Sequence, residues 1–138
     1  MTLLFVYGSL RQGFANAHVN RGRRLPGRWR SCERLPMYLL GSGRVPCLVL
    51  AHGTSMQVVG ELYEVGPQAL AAIDRLERLG EPDGYERVPL ECERFDVAPP
   101  LRLAACAYAK PAARLSADVP RIGPLAEYRA EHAAGLRW

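Results

Sequence analysis

The order of apolar and polar residues along the chain predicts many short strands and few helices. Residues 3–7 form an apolar run without a polar interruption, and the run ends at Gly8. A short run of this kind, ended by a turn residue, is typical of a strand that is buried on both faces. Further strand-like stretches cover residues 27–33, 36–40, 45–50, 58–65, 85–92 and 101–110.

Glycine-containing turns separate several of these stretches. The turns at residues 41–43 and 52–54 are short, and they predict antiparallel hairpins between the strands that flank them. The Pro99-Pro100 turn separates the last two strands. A helical turn is expected near residues 16–20, and the tail from residue 111 begins as a loop and ends in a helix from about Leu125.

One long helix is predicted in the body of the chain, over residues 67–79. Pro67 suits a first helical position, and Gly80 is a residue type that ends helices. At about 100° per residue, an apolar stripe forms on one side of this helix. Its members are Ala69, Leu70, Ile73 and Leu76. On the opposite side, Asp74 and Arg78 are spaced for a surface ion pair.

Glu77 lies at the border of the apolar stripe of this helix, four residues after Ile73. A carboxylate that faces inward has its pKa raised by desolvation toward the range that a general base needs. The pattern leaves a second interpretation open, in which Glu77 reaches solvent or pairs with an arginine.

These elements together predict a single domain over residues 1–138, of the α+β class, with a curled or barrel-like sheet. The C-terminal tail, residues 120–138, is expected to be partly helical. A chain of 138 residues can bury a core without metals or disulfides. No apolar run approaches the ~20 residues of a membrane span, and the apolar start lacks a basic region. We therefore expect a cytoplasmic protein that is not bound to a membrane.

The cysteines and histidines form no recognisable metal site. The four cysteines contain no CxxC pair, and the histidines are scattered. Reduced, buried thiols and the absence of a bound metal are expected. There is also no phosphate-binding loop and no dinucleotide fingerprint, so the sequence predicts no cofactor.

The charge of the chain allows two kinds of partner. The net charge is +4, and five arginines lie close together at positions 21, 23, 24, 28 and 30. Such a cluster can bind nucleic acid, or it can attract a small carboxylate substrate. No nucleic-acid motif accompanies it, so we expect no nucleic-acid partner. The sequence does not predict an oligomeric state.

No catalytic nucleophile is evident in the sequence. Ser9 and the cysteines lack the spaced histidine and acidic partners of a triad hydrolase. If the protein is an enzyme without such a triad, its nucleophile comes from the substrate or from water.

One segment at the start of the chain and four in its middle, in this order, resemble a known family. They are Phe-Val-Tyr-Gly-Ser-Leu-Arg-Gln-Gly at residues 5–13 with Asn16, Val-Pro-Cys-Leu-Val at 45–49, Val-Gly-Glu-Leu-Tyr-Glu-Val at 59–65, Ile-Asp-Arg-Leu-Glu at 73–77 and Tyr-Glu-Arg at 85–87. The pattern is similar to the γ-glutamylcyclotransferase-like family, in the branch that contains γ-glutamylamine cyclotransferases. The similarity spans about residues 3–110.

The resemblance implies a small mixed β-barrel with flanking helices and a role for six residues. Glu77 is implied to be the catalytic general acid and base. The loop of Tyr7, Gly8, Ser9 and Leu10 is implied to bind the substrate, largely through backbone groups, together with Tyr85. The chain departs from the family pattern at Arg78, where relatives often have glycine.

The implied substrate is a small γ-glutamyl amide or peptide. Its α-amine attacks its own γ-carbonyl, which closes 5-oxoproline and releases an amine without a protein nucleophile. Two alternatives stay open at this point. One is γ-glutamyl removal from a specific biosynthetic intermediate, and the other is a non-catalytic module on the same fold that binds a small ligand or a protein.

Overall fold

The computed structural model describes residues 1–51, 56–115 and 118–134. Within these ranges the chain forms nine strands, two α-helices and two short 3-10 turns. The strands are β1 (Thr2–Val6), β2 (Arg23–Arg24), β3 (Trp29–Ser31), β4 (Met37–Leu40), β5 (Val45–Leu50), β6 (Val59–Val65), β7 (Glu86–Arg94), β8 (Leu101–Pro111) and β9 (Arg121–Leu125). The helices are α1 (Pro67–Leu76) and α2 (Ala130–Ala134), and the 3-10 turns are Ala17–Val19 and Ala112–Arg114.

Five strands close into a barrel, which confirms the predicted α+β barrel class. The order is β1-β6-β3-β7-β8, and a parallel contact between Leu4 of β1 and Cys106 of β8 completes the ring. The other barrel pairings are antiparallel. Strands β5, β4 and β9 continue outward from β8, and the short β2 pairs with β6. Closure leaves few unpaired strand edges in this part of the sheet.

Strand β1 is buried on both faces, as its unbroken apolar run predicts. Phe5 and Tyr7 belong to the core cluster that includes Trp29, Leu48 and Tyr128. Leu4 and Val6 point to the other face and pack in a second cluster under α1, together with Ile73 and Tyr108. Because successive side chains of a strand alternate between faces, one strand connects the two clusters.

The first of the two predicted hairpins is confirmed and the second is wrong. Strands β4 and β5 are antiparallel neighbours across the turn at residues 41–43. The turn at residues 52–54 lies outside the described residues, but the strands on its two sides do not pair with each other. Strand β5 lies between β4 and β8, whereas β6 pairs with β1, β2 and β3. A glycine-rich connection is compatible with either topology, so the turn residues do not select the partner strand.

The tail differs from the expectation of a helix from about Leu125. Residues Arg121–Leu125 instead form β9, which pairs with β4, and the helix α2 begins only at Ala130. Strand β9 contains Pro124, which donates no backbone hydrogen bond and is therefore tolerated at the end of this sheet. Between the two elements, Tyr128 is 1% exposed and fills the core.

Helix α1 begins at Pro67 as predicted but ends at Leu76, three residues early. Arg78 adopts a left-handed conformation with φ of 56°. The N–H of Leu79 then donates to the Asp74 carbonyl at 3.0 Å, and the N–H of Arg78 donates to the Arg75 carbonyl at 3.2 Å. This is the hydrogen-bond pattern of a Schellman motif, which ends a helix.

The predicted surface pair between Asp74 and Arg78 does not form. Asp74 accepts hydrogen bonds from Arg87 of β7 and from the Tyr108 hydroxyl of β8. Arg78 pairs with Asp83 at 3.0 Å, because the end of the helix turns its side chain away from Asp74. None of the described helices is long and apolar enough to cross a membrane.

Candidate active site

A cavity of about 180 Å³ lies where the end of β1, the start of β5 and the C-terminal end of α1 meet. All six residues singled out from the sequence line it. They are Tyr7, Gly8, Ser9, Leu10, Glu77 and Tyr85. The structure therefore brings these residues together, while their roles in binding and catalysis stay predictions.

A tight turn after β1 places two backbone donors at this cavity. The N–H of Arg11 donates to the Gly8 carbonyl at 3.1 Å, so Ser9 and Leu10 are the two central residues of the turn. Their own N–H groups have no acceptor among the described residues. Consecutive free N–H groups in a turn are suited to bind a carboxylate or a developing oxyanion.

The turn is held closely against β5 and the following loop. A Cβ on Gly8 would lie 2.8 Å from Cγ of Pro46, so only glycine fits at that point without displacement. Asn16 binds Ser9 twice, through its backbone N–H to the Ser9 carbonyl at 2.9 Å and through Nδ2 to Oγ at 2.8 Å. These contacts preorganise the two donors before any ligand binds.

Glu77 is the C-cap residue of α1, and its side chain reaches the cavity. Burial raises the pKa of its carboxyl from 4.5 to about 7, and the positive charge of Lys110 opposes this rise. The helix ends earlier than predicted, and of the two interpretations that the pattern left open for Glu77, the structure favours the inward one. Leu76, which the stripe places in the core, is 38% exposed and lines the cavity instead.

The two cavity tyrosines use their hydroxyls to hold backbone groups. Tyr7 donates to the Tyr108 carbonyl at 2.7 Å and accepts from the Leu48 N–H at 2.9 Å. Tyr85 donates to the Pro46 carbonyl at 2.7 Å. Burial raises the pKa of both phenols well above 10.0, so both stay neutral. Tyr7 and Tyr85 thus shape the wall, and neither can act as a base near neutral pH.

A buried carboxylate that the sequence reasoning did not single out supports the turn. Glu61 of β6 is 4% exposed and accepts hydrogen bonds from the Gln12 N–H at 2.9 Å and the Tyr63 hydroxyl at 2.8 Å. Its other oxygen pairs with Arg11 Nε at 3.3 Å. The signal for this role was available, since Glu61 is a charged residue inside an apolar strand pattern.

Other residues of the cavity were not predicted to belong to the site, although one of them, Asn16, follows the motif at residues 5–13. Phe5 and Val6 come from β1, Val45 and Pro46 from β5 and Tyr108 from β8, so three separate strands contribute to the wall. Nothing in the local sequence of these residues indicates a shared cavity, because only the strand pairing brings them close.

The five clustered arginines do not frame the cavity. None of them is among the described residues that line it. Arg23 pairs with Glu64, Arg24 with Glu61 at 3.7 Å and Arg30 with Glu93 at 2.7 Å, while Arg28 lies 5.0 Å from the Phe95 ring centroid. Three of the five arginines thus form ion pairs with carboxylates of the protein itself. Within the described ranges, no group of three or more histidine, cysteine or acidic side chains is arranged to hold a metal ion.

Known proteins share this fold and parts of this sequence. The crystal structure of an AIG2-like protein from Mus musculus superposes with a TM-score of 0.81 at 27% identity, covering 100% of this chain and 95% of that one. Gamma-glutamylaminecyclotransferase of Rattus norvegicus is 33% identical over 96 residues, covering 66% of this chain and 63% of that protein. The Bos taurus protein of the same name is 34% identical over 103 residues, covering 71% and 60%. The chain spans between half and about two thirds of the length of the first curated relatives it matches.

A profile of the family described as "Gamma-glutamyl cyclotransferase, AIG2-like" matches residues 4–129, which include both the barrel and the cavity. The chain therefore belongs to the gamma-glutamyl cyclotransferase, AIG2-like family.

Proposed function

We propose that this protein is a γ-glutamyl cyclotransferase that converts a small γ-glutamyl amide or peptide to 5-oxoproline and a free amine. The observation that carries the proposal is the position of Glu77. Its carboxyl, with a pKa near 7, lies at the same cavity as the free N–H groups of Ser9 and Leu10. A general base that is poised near neutral pH and a pair of anion-binding donors are the two parts that this reaction needs.

The reaction requires one base and no protein nucleophile. Glu77 takes a proton from the substrate α-amine, whose nitrogen then attacks the γ-carbonyl carbon. The new C–N bond closes the five-membered ring, and the former amide C–N bond breaks. Glu77 delivers the proton to the departing nitrogen, so substrate and products have the same atoms in total and Glu77 returns to its starting state.

Binding the folded substrate supplies a large part of the rate. Because the attack is intramolecular, holding the amine against the carbonyl gives effective molarities of up to about 10⁵–10⁸ M. In this proposal the Ser9 and Leu10 N–H groups bind the α-carboxylate or the developing oxyanion. The Tyr7 and Tyr85 rings, fixed by their hydroxyls, limit the conformations that the substrate can adopt.

The test is the formation of 5-oxoproline from a panel of γ-glutamyl amides and γ-glutamyl dipeptides. The wild-type protein should release it, with kcat/KM rising with pH through a midpoint near 7, where Glu77 becomes ionised. Glu77→Gln keeps the shape and removes the proton shuttle, so its kcat should fall by a factor of at least about 10² to 10⁴. Glu81→Gln, which changes an exposed glutamate a few residues away, is the matched control and should keep full activity.

Equal rates for the wild-type protein and Glu77→Gln would remove Glu77 from the mechanism. Binding of γ-glutamyl compounds without any product would replace the enzyme by the non-catalytic binding module. We further propose that residues 1–138 act as one domain and that the reaction takes place in the cytoplasm. The free thiols of all four cysteines support that location.

A further inference from the structure

A second hollow of about 500 Å³ adjoins the cavity and shares Val45 and Tyr85 with it. We call it the outer groove. Its wall is largely apolar, and it also contains the charged residues Asp83, Lys110 and Arg114. Its apolar members include Leu40, Val45, Pro82, Leu115 and Val119. Because Tyr85 lines both hollows, a substrate held beside Glu77 can extend past this ring into the outer groove.

Lys110 is the single lysine of the chain. Its Nζ lies 4.8 Å from the centroid of the Tyr85 ring and donates to the backbone carbonyl of Asp83 at 3.1 Å. In the part of the chain that the structure describes, no carboxylate pairs with it. An ammonium group has three donors, so two of them stay available to a ligand.

Arg114, the other cation of the outer groove, differs in this respect. It pairs with Glu86 at 3.1 Å and donates to the Gly84 carbonyl at 3.1 Å. Its charge is thus already matched, whereas the charge of Lys110 can be matched by a bound anion. Lys110 also contacts the ring of Tyr85, which lines both hollows, so the cation lies where the outer groove adjoins the cavity.

We propose that the outer groove binds the leaving amine, and that it selects γ-glutamyl amino acids with an apolar side chain. The α-carboxylate of the leaving amino acid pairs with Lys110, and its side chain packs on Leu40, Val45 and Leu115. This inference rests on the cyclotransferase function proposed above. An amine without a carboxylate leaves Lys110 unpaired, and a leaving glycine leaves the apolar wall uncovered.

Three substrates separate these two contributions. γ-Glutamyl-leucine has both the carboxylate and the apolar side chain. γ-Glutamyl-isopentylamide has the same carbon skeleton without the carboxylate, and γ-glutamyl-glycine has the carboxylate without the side chain. For the wild-type protein, kcat/KM should be about 10-fold or more higher for γ-glutamyl-leucine than for the isopentylamide, as expected for one charged hydrogen-bonded contact. It should also be higher than for γ-glutamyl-glycine.

Lys110→Gln should abolish the preference for the carboxylate and retain the preference for leucine over glycine. The ratio of two substrates is measured within one variant, so a change in folded fraction or in the pKa of Glu77 cancels. Arg102→Gln is the matched control. It removes a positive charge from the same strand β8, where the exposed Arg102 side chain lies 3.9 Å from the buried Glu93 and away from both hollows, and it should keep the wild-type ratios.

Two results distinguish the ways in which the inference can fail. If 5-oxoproline forms but leucine and isopentylamide conjugates react equally well, or if Lys110→Gln keeps the wild-type ratio, the outer groove does not bind the leaving carboxylate. The cyclotransferase function then stands without it. If none of the three substrates yields 5-oxoproline, the proposed function is wrong and this inference is wrong with it.

Discussion

Glu77 is a carboxylate whose position favours reactivity over stability. Its pKa is raised from 4.5 to about 7 because burial disfavours the charged form. In the unfolded chain the same carboxyl ionises near its ordinary value. Between these two pH values the native state binds more protons than the unfolded state, so the free energy of unfolding falls as the pH rises. The contribution of Glu77 to stability is therefore fully present below about pH 4.5 and is lost as the pH rises through about 7.

Glu77→Gln should therefore be more stable than the wild type under mildly alkaline conditions. We expect its advantage in unfolding free energy to be about 2 kcal/mol larger at pH 8 than at pH 5, because the variant has no charge to bury. Urea unfolding of both proteins at the two pH values measures this difference. The exposed Glu81→Gln control should show no such change, and an equal Glu77→Gln effect at both pH values would contradict a buried Glu77.

At the scale of elements, the end of α1 decides where Glu77 and Tyr85 lie. The Schellman motif at Arg78 reverses the chain, and Gly84 packs so closely that a Cβ there would lie 1.8 Å from the Arg78 carbonyl oxygen. The N–H of Tyr85 then donates to the Glu77 carbonyl at 3.0 Å. The two predicted site residues are thus fixed to each other through the backbone, although eight positions separate them in the sequence.

Arg78→Gly should stabilise the protein. The left-handed φ of 56° is unfavourable for a residue with a Cβ, and glycine adopts it freely. We expect a gain of about 0.5 to 1 kcal/mol in unfolding free energy, since the lost ion pair with Asp83 is exposed on both sides and contributes little. Arg75→Gly, the same change within the right-handed part of α1, should instead destabilise by about 1 kcal/mol. Urea or thermal unfolding compares the two, and destabilisation by Arg78→Gly would refute the strain at this position.

At the scale of the whole molecule, Arg11 connects the site turn to distant parts of the chain. Its guanidinium pairs with Glu61 of β6 at 3.3 Å and with Glu127 of the tail at 3.3 Å, and it donates to the Tyr128 carbonyl at 2.8 Å. Tyr128 in turn packs on Phe14, with 5.3 Å between ring centroids. The tail therefore holds the turn that supplies the backbone donors, even though none of the tail residues that the structure describes lines the cavity.

Arg11→Gln should destabilise the protein by about 2 kcal/mol, because it leaves the nearly buried Glu61 carboxylate with weaker partners. Glu61→Gln removes that weakly paired charge, so the double variant should be more stable than the sum of the two single changes predicts. Urea unfolding of the four proteins in the cycle measures the coupling. Strict additivity would show that Arg11 and Glu61 do not act as a pair.

Local sequence patterns predicted those features of the fold that depend only on residues close together in the sequence. The apolar run before Gly8 and the start of α1 at Pro67 follow from side-chain periodicity and from the backbone preferences of glycine and proline. Periodicity placed Glu77 only at the border of the apolar stripe. The early end of α1 was not predicted, because it depends on a left-handed arginine where glycine is the expected residue. The edge strand β9 was missed because its stability comes from pairing with β4, more than eighty residues earlier.

The sequence by itself determined the class of the fold, most of its strands and, through its resemblance to a known family, six of the residues that line the candidate site. Tertiary structure alone decided the parallel contacts of β8 with β1 and β5, and through them the cavity wall, the burial of Glu77 and the position of Lys110 against the Tyr85 ring. The physical reason is that hydrophobic periodicity depends on neighbouring residues. Strand partners, desolvation and the field of a distant charge depend on residues that only the closed barrel brings together.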